Sequence, residues 1–195
     1  VVDVRALLFE NKNDATLYCA TDTHYSGAGL SLVADKVVGL LAEKPWYQEV
    51  EKKEYTFSPK DISIKGDLAA MAKSEETETV TLDFVTEKVS GTLIQPEQNS
   101  PILLLGDSHT LVFSAGGDLH AKGAGLADNL SGKLGMPIDL LGVRGSGATP
   151  ARIKLYQKSR KDKEYLSNKK VVIWCLTARE FTGSGGWRKV PVVKE

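Results

Sequence analysis

Between Ile102 and Thr110 the chain reads ILLLGDSHT, an apolar run broken by a glycine, an acid, a hydroxyl and an imidazole. Gly106 allows a sharp turn without a Cβ clash. A serine just past such a turn projects its hydroxyl from the sheet edge with its own N–H facing a bound oxyanion, so Ser108 is a candidate nucleophile. A free hydroxyl attacks poorly and needs a general base, itself oriented by a carboxylate. The chain contains three histidines. His109 adjoins the serine, and neighbours on an extended strand point to opposite faces, so it is poorly placed as the base. His24 in TDTHY and His120 in GGDLH each have an acid two positions earlier, Asp22 and Asp118. Position favours His24, at the end of another expected strand, over His120, in a glycine-rich loop that need not return to the site. The plainer alternative is that Gly-Asp-Ser is only a turn and Asp-Thr only a helix cap.

Other chemistries fit less well. Asp22, His24, Asp118 and His120 offer two imidazoles and two carboxylates to a metal, yet no helical His-x-x-x-His pair or cysteine cluster accompanies them, and no metal is expected. The glycine stretches GVRGSG and TGSGGW have neither Walker nor Rossmann spacing. GVRGSGATP suits a loop that brings the N–H of Gly145 or Gly147 to a reacting carbonyl oxygen. No cofactor is called for.

These residues must be positioned by a sheet. Thr16 to Ala20 (TLYCA), Pro101 to Ser108 and Lys169 to Thr177 (KKVVIWCLT) are short apolar runs without strict alternation, the pattern of strands covered on both faces; MPIDLLGV, from Met136, is a weaker fourth. Helical spacing marks Ser26 to Leu41, through Leu30, Val33, Val37, Leu40 and Leu41, and GLADNLSGKLG, through Leu126, Leu130 and Leu134 with Gly135 as a stop. A further helix opens at Thr149-Pro150 and ends in basic residues that read as a solvated face. The alternation predicts a three-layer α/β/α sandwich with a mainly parallel sheet. Residues 45–100 interrupt it as a polar excursion, where alternating Val80, Leu82 and Phe84 suggest a peripheral hairpin within a single domain spanning 1–195.

The composition fits one domain: 195 residues, 42% hydrophobic, 26% charged. Lys and Arg together number 25, as do Asp and Glu, so no net field attracts nucleic acid. Cys19 and Cys175 read as two core thiols in preference to a single bridge. No run reaches the roughly 18 apolar residues of a membrane span. Val1 opens without a signal peptide, which weighs little in a chain that starts without Met.

ATDTHYSGAG, ILLLGDSHT, GLADNLSGKLGMPIDLLGVRGSG and VVIWCLTAREF, in that order, resemble the SGNH-hydrolase-like domain of the alginate O-acetylation protein family. The family's Asp-x-His-Trp signature corresponds to Asp22 to Tyr25, its Gly-Asp-Ser turn to Gly106 to Ser108, and its late Glu-Arg strand end to Ala178, Arg179 and Glu180. Gly66 to Leu68 (GDL) is similar to a family loop. The resemblance implies the permuted order in which acid and base precede the serine, with Ser108, His24 and Asp22 as the catalytic set. It demotes Asp118 and His120, which fall in a variable stretch. It also implies a polysaccharide acceptor, an acetyl donor, a membrane acyl-transfer partner, a periplasmic or secreted location, and an N-terminal portion beyond this sequence. Tyr25 replaces the family Trp as a substrate-binding candidate. The oxyanion asparagine of ordinary SGNH enzymes has no counterpart, which leaves Arg179, the Ser108 N–H and the Gly145 or Gly147 N–H for that task.

Two functions are thus expected: a serine-dependent O-acetyltransferase or acetylesterase, or a polysaccharide-binding scaffold without turnover. In the second, Trp46, Tyr47, Trp187 or Tyr25 would stack on sugars.

Overall fold

A computed structural model describes residues 1–145, 147–183 and 185–192. In chain order the elements are α1 (Arg5–Glu10), α2 (Gly27–Ala42), α3 (Pro45–Gln48), β1 (Tyr55–Ile64), α4 (Asp67–Met71), β2 (Glu78–Glu87), β3 (Ile102–Gly106), α5 (Leu126–Leu134), β4 (Asp139–Gly142), α6 (Ala148–Lys161), β5 (Val171–Cys175) and α7 (Arg179–Thr182). Short 3-10 turns cover Ser108–Thr110 and Gly117–Leu119.

The parallel sheet has the order β4-β3-β5, and every residue of the central β3 is buried. Alternation along β3 divides its side chains between two faces. Ile102 and Leu104 join Leu30 and Ala34 of α2 and Leu126, Leu130 and Leu134 of α5. Leu103 and Leu105 join Leu141 and, from α6, Ala151 and Leu155. The result is the three-layer α/β/α sandwich, with each buried Leu side chain worth about 2 kcal/mol.

The helices follow their sequence signals with small shifts. Ser26 caps α2, its Oγ accepting from the N–H of Gly29 at 3.3 Å, and Gly135 ends α5 at φ +72°. Leu40 points to solvent, off the buried face of α2. The next helix, α6, starts at Ala148 rather than after Thr149. Its first N–H, on Ala148, donates to Glu180 Oε2 at 2.9 Å, a cap supplied from a distant residue that local sequence does not reveal.

Two expectations change. Thr16 to Ala20 is not a strand of the sheet. It folds back on itself through a single antiparallel bridge between Tyr18 and Tyr25, with the N–H of Cys19 donating to His24 O and that of Ser26 to Leu17 O. Asp22 and Thr23 therefore sit at a loop tip. The polar excursion does contain an antiparallel hairpin of β1 and β2, but the hairpin is not peripheral to the core: Ile64, Val80 and Leu82 are buried in the same cluster as Ile102 and Leu104.

Both cysteines are free. Burial pushes each thiol up to about 12, with nearby carboxylates adding to the shift. Among the described residues no helix is long and apolar enough to cross a membrane.

Asp128, buried in α5, accepts from Ser114 Oγ at 2.5 Å and from the Gly125 N–H at 2.9 Å, yet burial outweighs these bonds and raises its carboxyl to about 6. The folded state thus takes up this proton more readily than the unfolded chain. Its stabilising effect is complete below the unfolded value of about 3.9 and is lost as pH rises through about 6. Asp128→Asn keeps an acceptor oxygen and removes the buried charge. We expect it to stabilise the protein by on the order of 2 kcal/mol at pH 8. The gain should vanish near pH 4 in parallel thermal melts; an equal effect at both pH values would contradict the assignment.

Candidate active site

The loop tip at Asp22 is held from two sides. Glu78, at the start of β2, accepts from the N–H of Ala20 at 2.9 Å, the N–H of Thr21 at 2.7 Å and Thr21 Oγ1 at 2.6 Å. Asp67, at the start of α4, accepts from the Thr23 N–H at 2.7 Å and Thr23 Oγ1 at 2.6 Å, and its own N–H donates to Asp22 Oδ2 at 3.1 Å. Gly66 lets the two segments approach: a Cβ there would lie 2.1 Å from Thr21 O and 2.5 Å from Asp22 Cβ. The excursion between β1 and β2 is thus what fixes the acid.

Gly66→Ala should accordingly cost about 1–3 kcal/mol, because backbone atoms must move to admit the methyl group. Gly39→Ala, in α2 with open space around it, should stabilise by up to about 1 kcal/mol. Urea melts of the two variants check the contrast, and equal effects would contradict the close approach.

From this tip the acid, imidazole and hydroxyl line up. His24 Nδ1 lies 2.5 Å from Asp22 Oδ1, and His24 Nε2 lies 2.8 Å from Ser108 Oγ. A carboxylate only accepts, so Nδ1 carries the proton and Nε2 is free to accept from the serine. Asp22 and His24 are buried while Ser108 is half-buried. Burial raises the Asp22 carboxyl, but hydrogen bonds from His120, His24 and the N–H groups of His24 and Asp67 outweigh it and hold the group well below the usual carboxylate range. Asp22 is an anion at any ordinary pH.

Ser108 opens a 3-10 turn directly after β3. Asp107 caps that turn: its Oδ1 accepts from the His109 N–H at 3.0 Å, its carbonyl from the Thr110 N–H at 3.0 Å, and its Oδ2 from the Thr177 N–H at 3.4 Å. Burial opposes ionisation of Asp107, but the His109 side chain and the N–H groups of His109 and Thr177 hold its carboxyl below the ordinary value. No acceptor among the described residues takes the Ser108 N–H, which is therefore available to an oxyanion. Gly106 lies inside β3, not at the turn. Its role is close approach, since a Cβ would lie 2.2 Å from Cys175 O on β5.

All three histidines meet here. The His109 ring lies 4.7 Å from that of His24, and its Nδ1 lies 3.3 Å from Asp107 Oδ1, outside hydrogen-bond geometry. His120, expected to stay away in its loop, does return: its Nε2 is 2.9 Å from Asp22 Oδ2. Asp118 does not follow it, and instead pairs with Arg144 at 2.5 Å on the surface. Asp67, Glu78 and His120 were not among the expected site residues. His120 stands in the sequence as an alternative base set aside for His24, the Gly66-Asp67-Leu68 stretch carries a weak signal, and Glu78 carries none, because hydrogen bonds across such separations leave no local pattern.

Tyr25 presents no stacking face. It is buried, edge-on to the His109 ring at 5.4 Å, and its hydroxyl donates to His109 O, so it braces the serine turn from beneath. Gly145 and Gly147 both have positive φ, +79° and +103°, in the loop before α6. Gly147 and Arg179 line a depression of about 340 Å³ with Pro150, Glu180 and Trp187, and Arg179 is exposed. A larger cleft of about 800 Å³, between α1 and Thr16 to Tyr18, includes none of the catalytic candidates.

Trp187 is exposed, 5.9 Å from Trp174 and 5.5 Å from Phe181, and the Arg152 guanidinium lies 5.7 Å from its ring. Trp46 packs against the core, and Tyr47 donates its hydroxyl to Leu134 O at 2.9 Å, so neither is a free platform.

A metal would find Asp22, His24 and Asp67 with ligand atoms within 4.8 Å of one another. These atoms are already engaged: the Asp22 oxygens by two imidazoles and two N–H groups, the Asp67 oxygens by Thr23. The geometry is complete as a hydrogen-bonded set.

No curated protein matches the chain in sequence. Solved structures that share its fold include two from Pseudomonas. The O-acetyltransferase domain of Pseudomonas putida AlgJ superposes with a TM-score of 0.65 at 15% identity, over 89% of this chain and 57% of that one. Pseudomonas aeruginosa AlgX superposes with a TM-score of 0.59 at 21% identity, over 82% of this chain and 35% of that one. The chain thus spans just over half the length of the first and about a third of the second. The family model for the SGNH hydrolase-like domain of the acetyltransferase AlgX matches residues 1–178, and the chain belongs to that family.

Proposed function

We propose that the chain is a serine-dependent O-acetyltransferase or acetylesterase acting on a polysaccharide outside the cytoplasm. The observation that carries this reading is the alignment of Asp22, His24 and Ser108 at 2.5 and 2.8 Å, with the serine as the accessible end. Membership of the SGNH hydrolase-like domain family of the acetyltransferase AlgX supports acetyl transfer as the reaction class.

Ser108 Oγ attacks the carbonyl carbon of an acetyl ester while His24 Nε2 takes its proton. The imidazolium is stabilised by Asp22, which remains ionised. The Ser108 N–H and a glycine N–H of the loop before α6, from Gly145 or Gly147, hold the oxyanion. Collapse breaks the ester C–O bond, and His24 returns the proton to the departing alcohol. The acetyl-serine then passes its acyl group to a sugar hydroxyl or to water, deprotonated in turn by His24. Arg179 supplies a cation beside the loop for a hydroxyl-rich or anionic acceptor, and an acetyl donor and a membrane acyl-transfer partner complete the scheme.

A binding protein without turnover is the second reading, favoured by the exposed aromatic group of Trp174, Phe181 and Trp187 with Arg152. The deciding experiment is mass spectrometry of the protein after incubation with p-nitrophenyl acetate. An acetyl adduct on Ser108, discharged faster by sugar oligomers than by water, identifies a transferase; one discharged equally by both identifies an esterase. No adduct, and equal ester cleavage by wild type, Ser108→Ala and His24→Ala, leaves only binding.

A further inference from the structure

Resting on the catalytic reading above, we infer that His120 is a positioning residue of the site, so that the working unit is the series His120, Asp22, His24, Ser108. Two independent features support this. The first is the division of the Asp22 carboxylate between two imidazoles: Oδ1 accepts from His24 Nδ1 at 2.5 Å and Oδ2 from His120 Nε2 at 2.9 Å. Each oxygen also takes one backbone N–H, from His24 at 3.0 Å and from Asp67 at 3.1 Å. The carboxylate cannot rotate about Cβ–Cγ without breaking bonds at both ends. A fixed Oδ1 keeps the His24 ring aimed at Ser108, and the charge shared with His120 lowers the tendency of Asp22 to take the proton from His24.

The second feature is the backbone of His120 itself. At φ +71° and ψ −57° it lies at the centre of a γ-turn closed by the Ala121 N–H on Leu119 O at 2.9 Å, a conformation strained for any residue with a Cβ. Glycine would occupy it without strain, and the loop already contains Gly116 and Gly117. A histidine is kept there by surrounding bonds: Leu119 O also accepts from the Phe113 N–H at 3.0 Å, the Gly116 N–H donates to Ala121 O at 2.8 Å, and the Phe113 ring lies 5.9 Å from the imidazole. Strain of this kind persists where surrounding structure enforces it, and here it aims one imidazole at the catalytic acid.

The test compares wild type, His120→Gln, His120→Leu and Ser108→Ala in p-nitrophenyl acetate cleavage, with thermal melts of each. Gln places an N–H near the position of His Nε2; Leu fills the space without a donor. We expect Leu to lower kcat roughly 10- to 100-fold, the worth of one hydrogen bond to a charged group, with KM little changed, and Gln to recover most of the loss. A Leu variant within threefold of wild type, or a Gln variant no better than Leu at equal melting temperature, overturns the inference while Ser108→Ala still reports on the catalytic reading. If Ser108→Ala keeps the wild-type rate, that reading has failed, and 15N NMR of the histidine rings decides the His120 arrangement alone. A proton on His120 Nε2, with a His24 Nδ1–H resonance that shifts in His120→Leu, upholds it. An unprotonated Nε2, or an unmoved resonance, overturns it.

Discussion

Ser108→Ala should abolish ester cleavage and acetyl-adduct formation, with a rate loss on the order of 10³-fold or more. The effect is large because Ser108 is the nucleophile in this scheme and no second hydroxyl is placed against His24 Nε2 in the described structure. The fold should survive. Ser108 is half-buried at the head of a 3-10 turn that Asp107 caps through the N–H groups of His109 and Thr110, and these bonds do not involve the serine hydroxyl. Thermal melts within a few degrees of wild type, together with lost turnover, are the expected pair of results. Retained turnover would place the chemistry elsewhere. Polysaccharide binding in the same variant tests whether acceptor recognition is separable from chemistry, as the surface position of Trp187 and Arg179 suggests.

Asp22→Asn should combine the second-largest loss of activity with a loss of stability. An amide has one accepting oxygen, whereas both Asp22 oxygens accept from an imidazole and from a backbone N–H. An imidazole can change tautomer to meet an NH2 group; a backbone N–H cannot. Either orientation of the amide therefore sets its NH2 against a donor, at a cost of about 1–3 kcal/mol for the bond lost in a buried site. If the NH2 faces His24, that ring takes the tautomer with its proton toward Ser108 and can no longer act as base, an effect of roughly 10³- to 10⁴-fold. The pH dependence has a definite sign. Hydrogen bonds hold the Asp22 carboxyl below its unfolded value of about 3.9, so its stabilising effect is complete above that value and is lost as pH falls further. The difference in melting temperature between wild type and Asp22→Asn should be largest near neutrality and shrink below about pH 4. A difference that grows on acidification would contradict the ionised state.

Much of the frame was legible locally. The apolar run of β3, the helical spacing of Leu126, Leu130 and Leu134, and the stop at Gly135 each follow from short-range rules, and each stands where those rules put it. Thr16 to Ala20 misled because an apolar, β-branched run looks the same whether it joins a ladder or closes on itself. The bridge between Tyr18 and Tyr25, and the grip of Glu78 on Ala20 and Thr21, decide between the two. The polar residues of the excursion read as surface when they are in part the anchor of the acid: Asp67 and Glu78 spend their carboxylates on backbone N–H groups of the loop tip.

The sequence by itself determined which groups were available: one Gly-Asp-Ser turn and three histidines, each with an aspartate two positions earlier. Their types favoured a hydroxyl nucleophile with an imidazole base over a metal site. Only the tertiary structure decided their assignment. Sequence reasoning set His24 and His120 against each other for one place, whereas the fold uses both, one on each oxygen of Asp22. It also turned Tyr25 from a sugar platform into a brace under His109, and separated Asp118 from His120 by pairing it with Arg144. The physical reason is the same in each case. A hydrogen bond depends on distances within a few tenths of an ångström between groups far apart in the chain, which packing sets and residue order does not.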